Sequence, residues 1–114
     1  MMNKVQYYLN KINQECSEVI KDSTKAMCFG VHSKDPSSEY ADDNITNVVH
    51  EVYDVIAAFE TLMDLLGLPY KIDSKEAREY INSKKERNEN YFKLSVGIKL
   101  AKDDFPVTCK HCIS

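Results

Sequence analysis

A chain of 114 residues with 43% apolar content is the length and composition of one globular domain rather than of a disordered or fibrous protein. Its formal net charge of −3 supplies no basic field, which argues against polymeric nucleic acid as a partner. No apolar stretch approaches eighteen residues and the N-terminus Met-Met-Asn-Lys-Val-Gln has no apolar run of the signal-peptide kind, so the sequence predicts a cytoplasmic protein with no membrane segment.

In chain order, Val5, Tyr8, Leu9, Ile12, Cys16, Val19, Ile20 and Met27 recur at three- and four-residue steps and predict a first helix that stops near Gly30. Residues 31–44 are polar, with turn chemistry at Ser33, Lys34, Asp35, Pro36, Ser37 and Ser38, and are expected to form a mobile loop. A second periodic run begins after Asp43 or Asn44 as cap: Ile45, Val48, Val49, Val52, Val55, Ile56, Phe59, Leu62, Met63 and Leu66. It ends at Gly67 with Pro69 beyond, and as the most hydrophobic helix it is the expected core. A third helix starts after Asp73 or Ser74, carries Ala77, Tyr80, Ile81, Asn88, Tyr91 and Phe92 on its spacing, and runs to about Ser95.

The expectation is therefore an all-α antiparallel bundle over residues 1–96, with a C-terminal extension, 97–114, that adds at most a short helix before Pro106. No run of alternating β-branched residues argues for a sheet. Small domains bury a modest fraction of their surface, and an apolar face on each of three helices makes a dimer the expected minimum assembly. Cys16 and Cys28 fall within helical patterns and read as free thiols. Cys109-Lys110-His111-Cys112 is a lone C-x-x-C with no second pair to complete a zinc site.

The residues that carry chemistry are acids. Glu15 and Glu18 are three apart on the first helix, and Glu51 and Asp54 three apart on the second, so each pair lies about 60° apart on a helical wheel. Both pairs flank their apolar stripes on the equivalent side, so helices packed by their stripes would line one groove with four carboxylates. Asp54 stands in Val52-Tyr53-Asp54-Val55-Ile56, where an uncompensated charge is costly. Clustered carboxylates repel unless a cation holds them, and hard oxygen donors select Mg²⁺ or Mn²⁺. Bound Mg²⁺ commonly keeps waters and takes phosphates as further ligands, which points to phosphate chemistry. The plainer reading of either pair alone is a solvated acidic helix face.

The segments Ile12-Asn13-Gln14-Glu15-Cys16-Ser17-Glu18-Val19-Ile20, Lys25-Ala26-Met27-Cys28-Phe29-Gly30 and Val49-His50-Glu51-Val52-Tyr53-Asp54-Val55 resemble the MazG-like nucleotide pyrophosphohydrolases, in particular their short phage-type members. That family carries E-E-x-x-E on one helix and E-x-x-D on the next, and the resemblance spans roughly residues 5–96. It implies an all-α fold that dimerises or tetramerises, with Mg²⁺ held by Glu15, Glu18, Glu51 and Asp54. The implied reaction cleaves a nucleoside triphosphate to the monophosphate and pyrophosphate. Two features depart from the family: Gln14 stands where its first acid would be, and the interval between Glu18 and Glu51 is long.

Substrate contacts are expected from Lys25, seven residues after Glu18 and on the same face, and from Asn47, seven before Asp54. Lys84, Lys85, Arg87 and Asn88 on the third helix resemble the basic segment that the family places over the phosphates. Each of these also reads as an ordinary solvated side chain. Tyr7, Tyr8, Tyr53 and Tyr91 are candidates for base stacking. No G-x-x-x-x-G-K-[ST] phosphate loop is present, and neither Glu15 nor Glu51 has the His three residues on that a di-iron bundle would use. The alternative function is a catalytically silent helical dimer that binds a nucleotide or a protein partner.

Overall fold

The computed structural model describes residues 1–102. Within them lie three helices and no strand: α1 (Lys4–Phe29), α2 (Asn44–Leu66) and α3 (Lys75–Gly97). The expected helix before Pro106 and the pair Cys109 and Cys112 lie outside the described residues.

Each helix begins where side-chain chemistry can satisfy its free N–H groups. Asn3 caps α1 reciprocally with Gln6: Asn3 Oδ1 accepts from the Gln6 N–H at 2.8 Å, and Gln6 Oε1 from the Asn3 N–H at 3.0 Å. Asp43 caps α2 and Ser74 caps α3, accepting from the N–H groups of Thr46 and Ala77. At the end of α2, Gly67 adopts φ 65°, and the Leu68 N–H reaches back to the Met63 carbonyl at 3.0 Å.

The chain forms two compact units that divide at 69/70. In the first, α1 and α2 pack against each other. They run antiparallel, because Tyr8 shares a cavity with Thr61 while Lys25 shares one with Asn44 and Asn47. Among the partly covered positions of α1, Val5, Tyr8, Ile12, Glu15, Val19, Asp22 and Ala26 follow an alternation of three- and four-residue steps, with Asn10 and Lys11 partly covered beside them. On α2 the matching seam is Val48, Glu51, Val55, Ala58 and Leu62, of which Ala58 and Leu62 are buried. This is the coiled-coil spacing of two helices that meet along one line.

The single apolar stripe read from the α1 sequence is therefore two. Val5, Tyr8, Ile12 and Val19 face α2, whereas Leu9, Cys16, Ile20 and Met27 lie about 90° further round and are exposed. α2 repeats the pattern with Ile45, Val49, Val52, Ile56, Phe59 and Met63 displaced in the same rotational sense. In an antiparallel pair, equal displacement in the same sense puts both second stripes on one side. The hairpin thus has an apolar face, and the acids of the seam lean towards the opposite face.

The segment between α1 and α2, expected to be mobile, is tied across its ends. The N–H groups of Asn44 and Ile45 donate to the carbonyls of Ser33 and Val31, each at 2.9 Å, and Asn44 Nδ2 donates to the Gly30 carbonyl at 2.9 Å. His32 Nδ1 stands 2.9 Å from Asp43 Oδ2, joining the loop to the α2 cap.

In the second unit, α3 has exposed Tyr80, Tyr91 and Leu94 near its ends, and residues 82–90 between them contain no apolar side chain.

Candidate metal centre

The α1–α2 seam holds charge in its middle. Glu15 and Asp22 occupy seam positions of α1 two turns apart, Glu51 occupies one of α2, and Asp54 follows Glu51 by nearly a turn. Glu15, Glu51 and Asp54 each offer a carboxylate oxygen, and the three oxygens lie within 4.8 Å of one another. Oxygens on an octahedral Mg²⁺ stand about 3 Å apart where adjacent and about 4.2 Å where opposite, so the side chains would turn inward to ligate one ion together. No imidazole or thiolate joins the cluster, and an all-carboxylate donor set favours a hard cation.

Three of the four acids singled out in the sequence are thus brought together. Glu18 stands outside the triad; its carboxylate is exposed and 3.9 Å from Lys21 Nζ. Asp22 is the acid that sequence reasoning missed. Its signal is the seven-residue step from Glu15, which puts it on the same face of α1 although it belongs to no three-residue acidic pair.

The electrostatics follow from this crowding. The Glu51 carboxyl is held above its ordinary range, first by partial loss of water around it and then by the charges of Asp54, Asp22, Glu15 and Glu18. Lys11 Nζ approaches Glu15 at 3.2 Å one turn along α1, and that hydrogen bond raises the lysine's proton affinity.

The hairpin carries two cavities, one of them lined by two of the acids. A small one of about 300 Å³ is lined by Tyr8, Lys11, Glu15, Asp54 and Thr61. The larger, of about 810 Å³, lies towards the loop and brings together Lys25 and Asn47, the two hairpin residues proposed from sequence to contact substrate. Phe29, Lys34, Asp35 and Asp42 also line it, none of them anticipated from sequence. Of the tyrosines considered for stacking, Tyr8 lines the small cavity, and Tyr7, Tyr53 and Tyr91 are exposed. His50 is on the solvent side of α2, 3.9 Å from Asp42, and takes no part in the triad.

Lys84, Lys85, Arg87 and Asn88 are exposed on α3 in the second unit. Lys84, Arg87 and Asn88 share one flank of that helix, and Lys85 lies further round.

The fold and site define an all-helical protein with a carboxylate triad between two antiparallel helices. Compared with known protein families, curated proteins and solved structures, the chain matches none. No helix among the described residues is long and apolar enough to cross a membrane.

Proposed function

We propose that the protein is a Mg²⁺-dependent nucleoside triphosphate pyrophosphohydrolase of the MazG-like kind, with Mn²⁺ as a substitute ion. The observation that carries the reading is the convergence of Glu15, Glu51 and Asp54 from two helices to within 4.8 Å. Carboxylates do not gather in a partly dehydrated seam without cost, and a divalent cation offsets that cost. The resemblance of the segments around Glu15–Glu18 and Glu51–Asp54 to the family's paired motif turns a generic cation site into a specific reaction.

In this reading Glu15, Glu51 and Asp54 hold the ion, with Glu18 at the rim of the same face. The bound Mg²⁺ would supply charge neutralisation of the phosphates and a more acidic water. Oxygen of a water bonds to the α-phosphorus while the bond to the oxygen bridging towards the β-phosphorus breaks. The bridging oxygen leaves with pyrophosphate, and the water's proton passes to solvent. In this reading the residues of the chain orient the phosphates in line, with Val19 and Val55 partly covered one turn along the seam from Glu15 and Glu51 and Asp54 open to solvent.

Dimerisation belongs to the same proposal. The apolar face formed by Leu9, Ile20 and Met27 with Val49 and Val52 lies opposite the acids, and a second copy packed there would cover it while leaving both acidic grooves open.

The test is pyrophosphate release by the purified full chain from each common ribo- and deoxyribonucleoside triphosphate, with Mg²⁺ or Mn²⁺, beside an Asp54→Ala variant. Release that disappears in the variant is the expected result; absence of release from every nucleotide rejects the enzyme. Gln14, and the outward position of Glu18 beside Lys21, favour the second reading, a silent nucleotide-binding dimer. It is supported if nucleotide binds equally to both proteins and neither turns over.

A further inference from the structure

Among the described residues the three clustered carboxylates have one ion-pair partner. Lys11 Nζ, one turn earlier on α1, stands 3.2 Å from Glu15, and within the same residues neither Glu51 nor Asp54 pairs with a lysine, arginine or histidine. We infer that Lys11 is the resident counter-ion of the triad: its ammonium and a divalent cation compete for Glu15, so the ion displaces the lysine and the lysine sets how tightly the ion is held. The inference rests on the cation site of the proposed function and not on the reaction assigned to it.

Lys11 is placed to serve acids of both helices. It lines the small cavity together with Glu15 from α1 and Asp54 from α2. The Glu15 side chain is only 14% exposed, which leaves water few approaches to its charge, and the ammonium supplies part of what hydration does not. Three carboxylates with oxygens within 4.8 Å of one another would otherwise repel across the seam with nothing to offset them.

The pair is also one that can be given up. Lysine four residues before glutamate is the weaker order of such a pair on a helix. The Lys11 side chain is 41% exposed, so its ammonium can leave Glu15 for water by turning its four-carbon stem, with no movement of the backbone. An ion at the triad brings two charges where the lysine brings one. Like charges repel at this range, so the ammonium is driven off even where lysine and ion use different oxygens of Glu15.

The acids are then partly neutralised under all conditions, by Lys11 when divalent cations are scarce and by the ion when they are abundant. A pair that merely links neighbouring turns of α1 would stabilise the helix equally in both.

The experiment measures Mn²⁺ binding by electron paramagnetic resonance and thermal melting by circular dichroism on the full chain and its variants. Lys11→Met keeps the apolar stem and a good helix former while removing the charge. It should lower the Mn²⁺ dissociation constant roughly fivefold, the upper worth of one partly exposed ion pair. Lys11→Arg should return the constant to within twofold of the parent. Lys21→Met makes the same change of charge beside Glu18, outside the triad, and should also leave it within twofold. In EDTA Lys11→Met should melt below the parent, and saturating Mn²⁺ should close that gap. A constant unchanged or raised by Lys11→Met, an equal fall in Lys21→Met, or a melting deficit of the same size with and without Mn²⁺ overturns the inference, as does failure of the unaltered protein to bind Mn²⁺. Tighter binding by Lys11→Met with no pyrophosphate released from any nucleoside triphosphate would reject the hydrolase and keep the role of Lys11. Pyrophosphate release by the parent, with Mn²⁺ binding unchanged across the variants, would do the reverse.

Discussion

Replacing Glu51 by Gln should change the sign of its effect with the presence of a cation. Without metal, Glu51 carries a charge disfavoured by lost hydration and by Asp54, Asp22, Glu15 and Glu18, so removing it should raise the melting temperature of the hairpin. With Mg²⁺ the order should reverse. An ion at one hundred times its dissociation constant stabilises the native state by about 2.7 kcal/mol, or roughly 10–20 °C for a unit of this size. The variant keeps two of the three clustered oxygens, Glu15 and Asp54. At an affinity weakened about tenfold, the same Mg²⁺ concentration would give it about 1.4 kcal/mol. Thermal melts by circular dichroism, in EDTA and across a Mg²⁺ titration, read both effects. A variant that melts below the parent in EDTA, or that gains as much from Mg²⁺ as the parent, would refute the reasoning.

Other expectations test the frame that holds the triad. Leu62→Ala removes one of the two buried side chains of the seam and should cost about 2–3 kcal/mol in urea unfolding, the lower part of the usual range because an open hairpin can close over the gap. Gly67→Ala should cost about 1 kcal/mol through backbone strain alone, since φ is 65° and a Cβ there would meet nothing within 4 Å; a larger loss would show crowding that the structure does not contain. Asp43 is held down to about 2, first by its hydrogen bond to Thr46 and then by His32. A depressed carboxylate contributes stability that is complete above its ordinary value of 3.8 and is lost as pH falls towards 2. Asp43→Asn preserves a cap but not the titration, so acid-induced unfolding should be shallower in that window; an identical slope would remove Asp43 as its source.

Much of the fold was legible because helix termini are local chemistry. Gly67 ends α2 where the sequence predicts, and of the caps it offers, Asp43 or Asn44 and Asp73 or Ser74, the structure uses Asp43 and Ser74. The division of each apolar run into two stripes was not legible. Val19 and Ile20 are equally hydrophobic, and only the register of the neighbouring helix decides that Val19 faces α2 while Ile20 is exposed. The same cause hid Asp22 and Lys11. Neither belongs to an acidic pair or a recognisable spacing, and each matters through what α2 places opposite it. Phe29 and the lining of the loop-side cleft were hidden for a further reason: the cleft exists because loop N–H and C=O groups pair with the start of α2, and such pairings between residues eleven to fourteen apart leave little trace in composition.

The two faces of the hairpin constrain each other. The triad needs α1 and α2 to stay in register, yet within the hairpin Ala58 and Leu62 are the only buried apolar side chains, too little to hold two helices against the repulsion of their own acids. A cation relieves that repulsion on one face, and cover over Ile20, Met27, Val49 and Val52 would add apolar burial on the other. A second copy presents the same apolar surface and can match it by symmetry. Assembly and metal binding then share one thermodynamic cycle: whatever stabilises the register of α1 on α2 must strengthen both. Mg²⁺ should therefore shift the protein towards its larger assembly on dilution, and Glu51→Gln should uncouple the two.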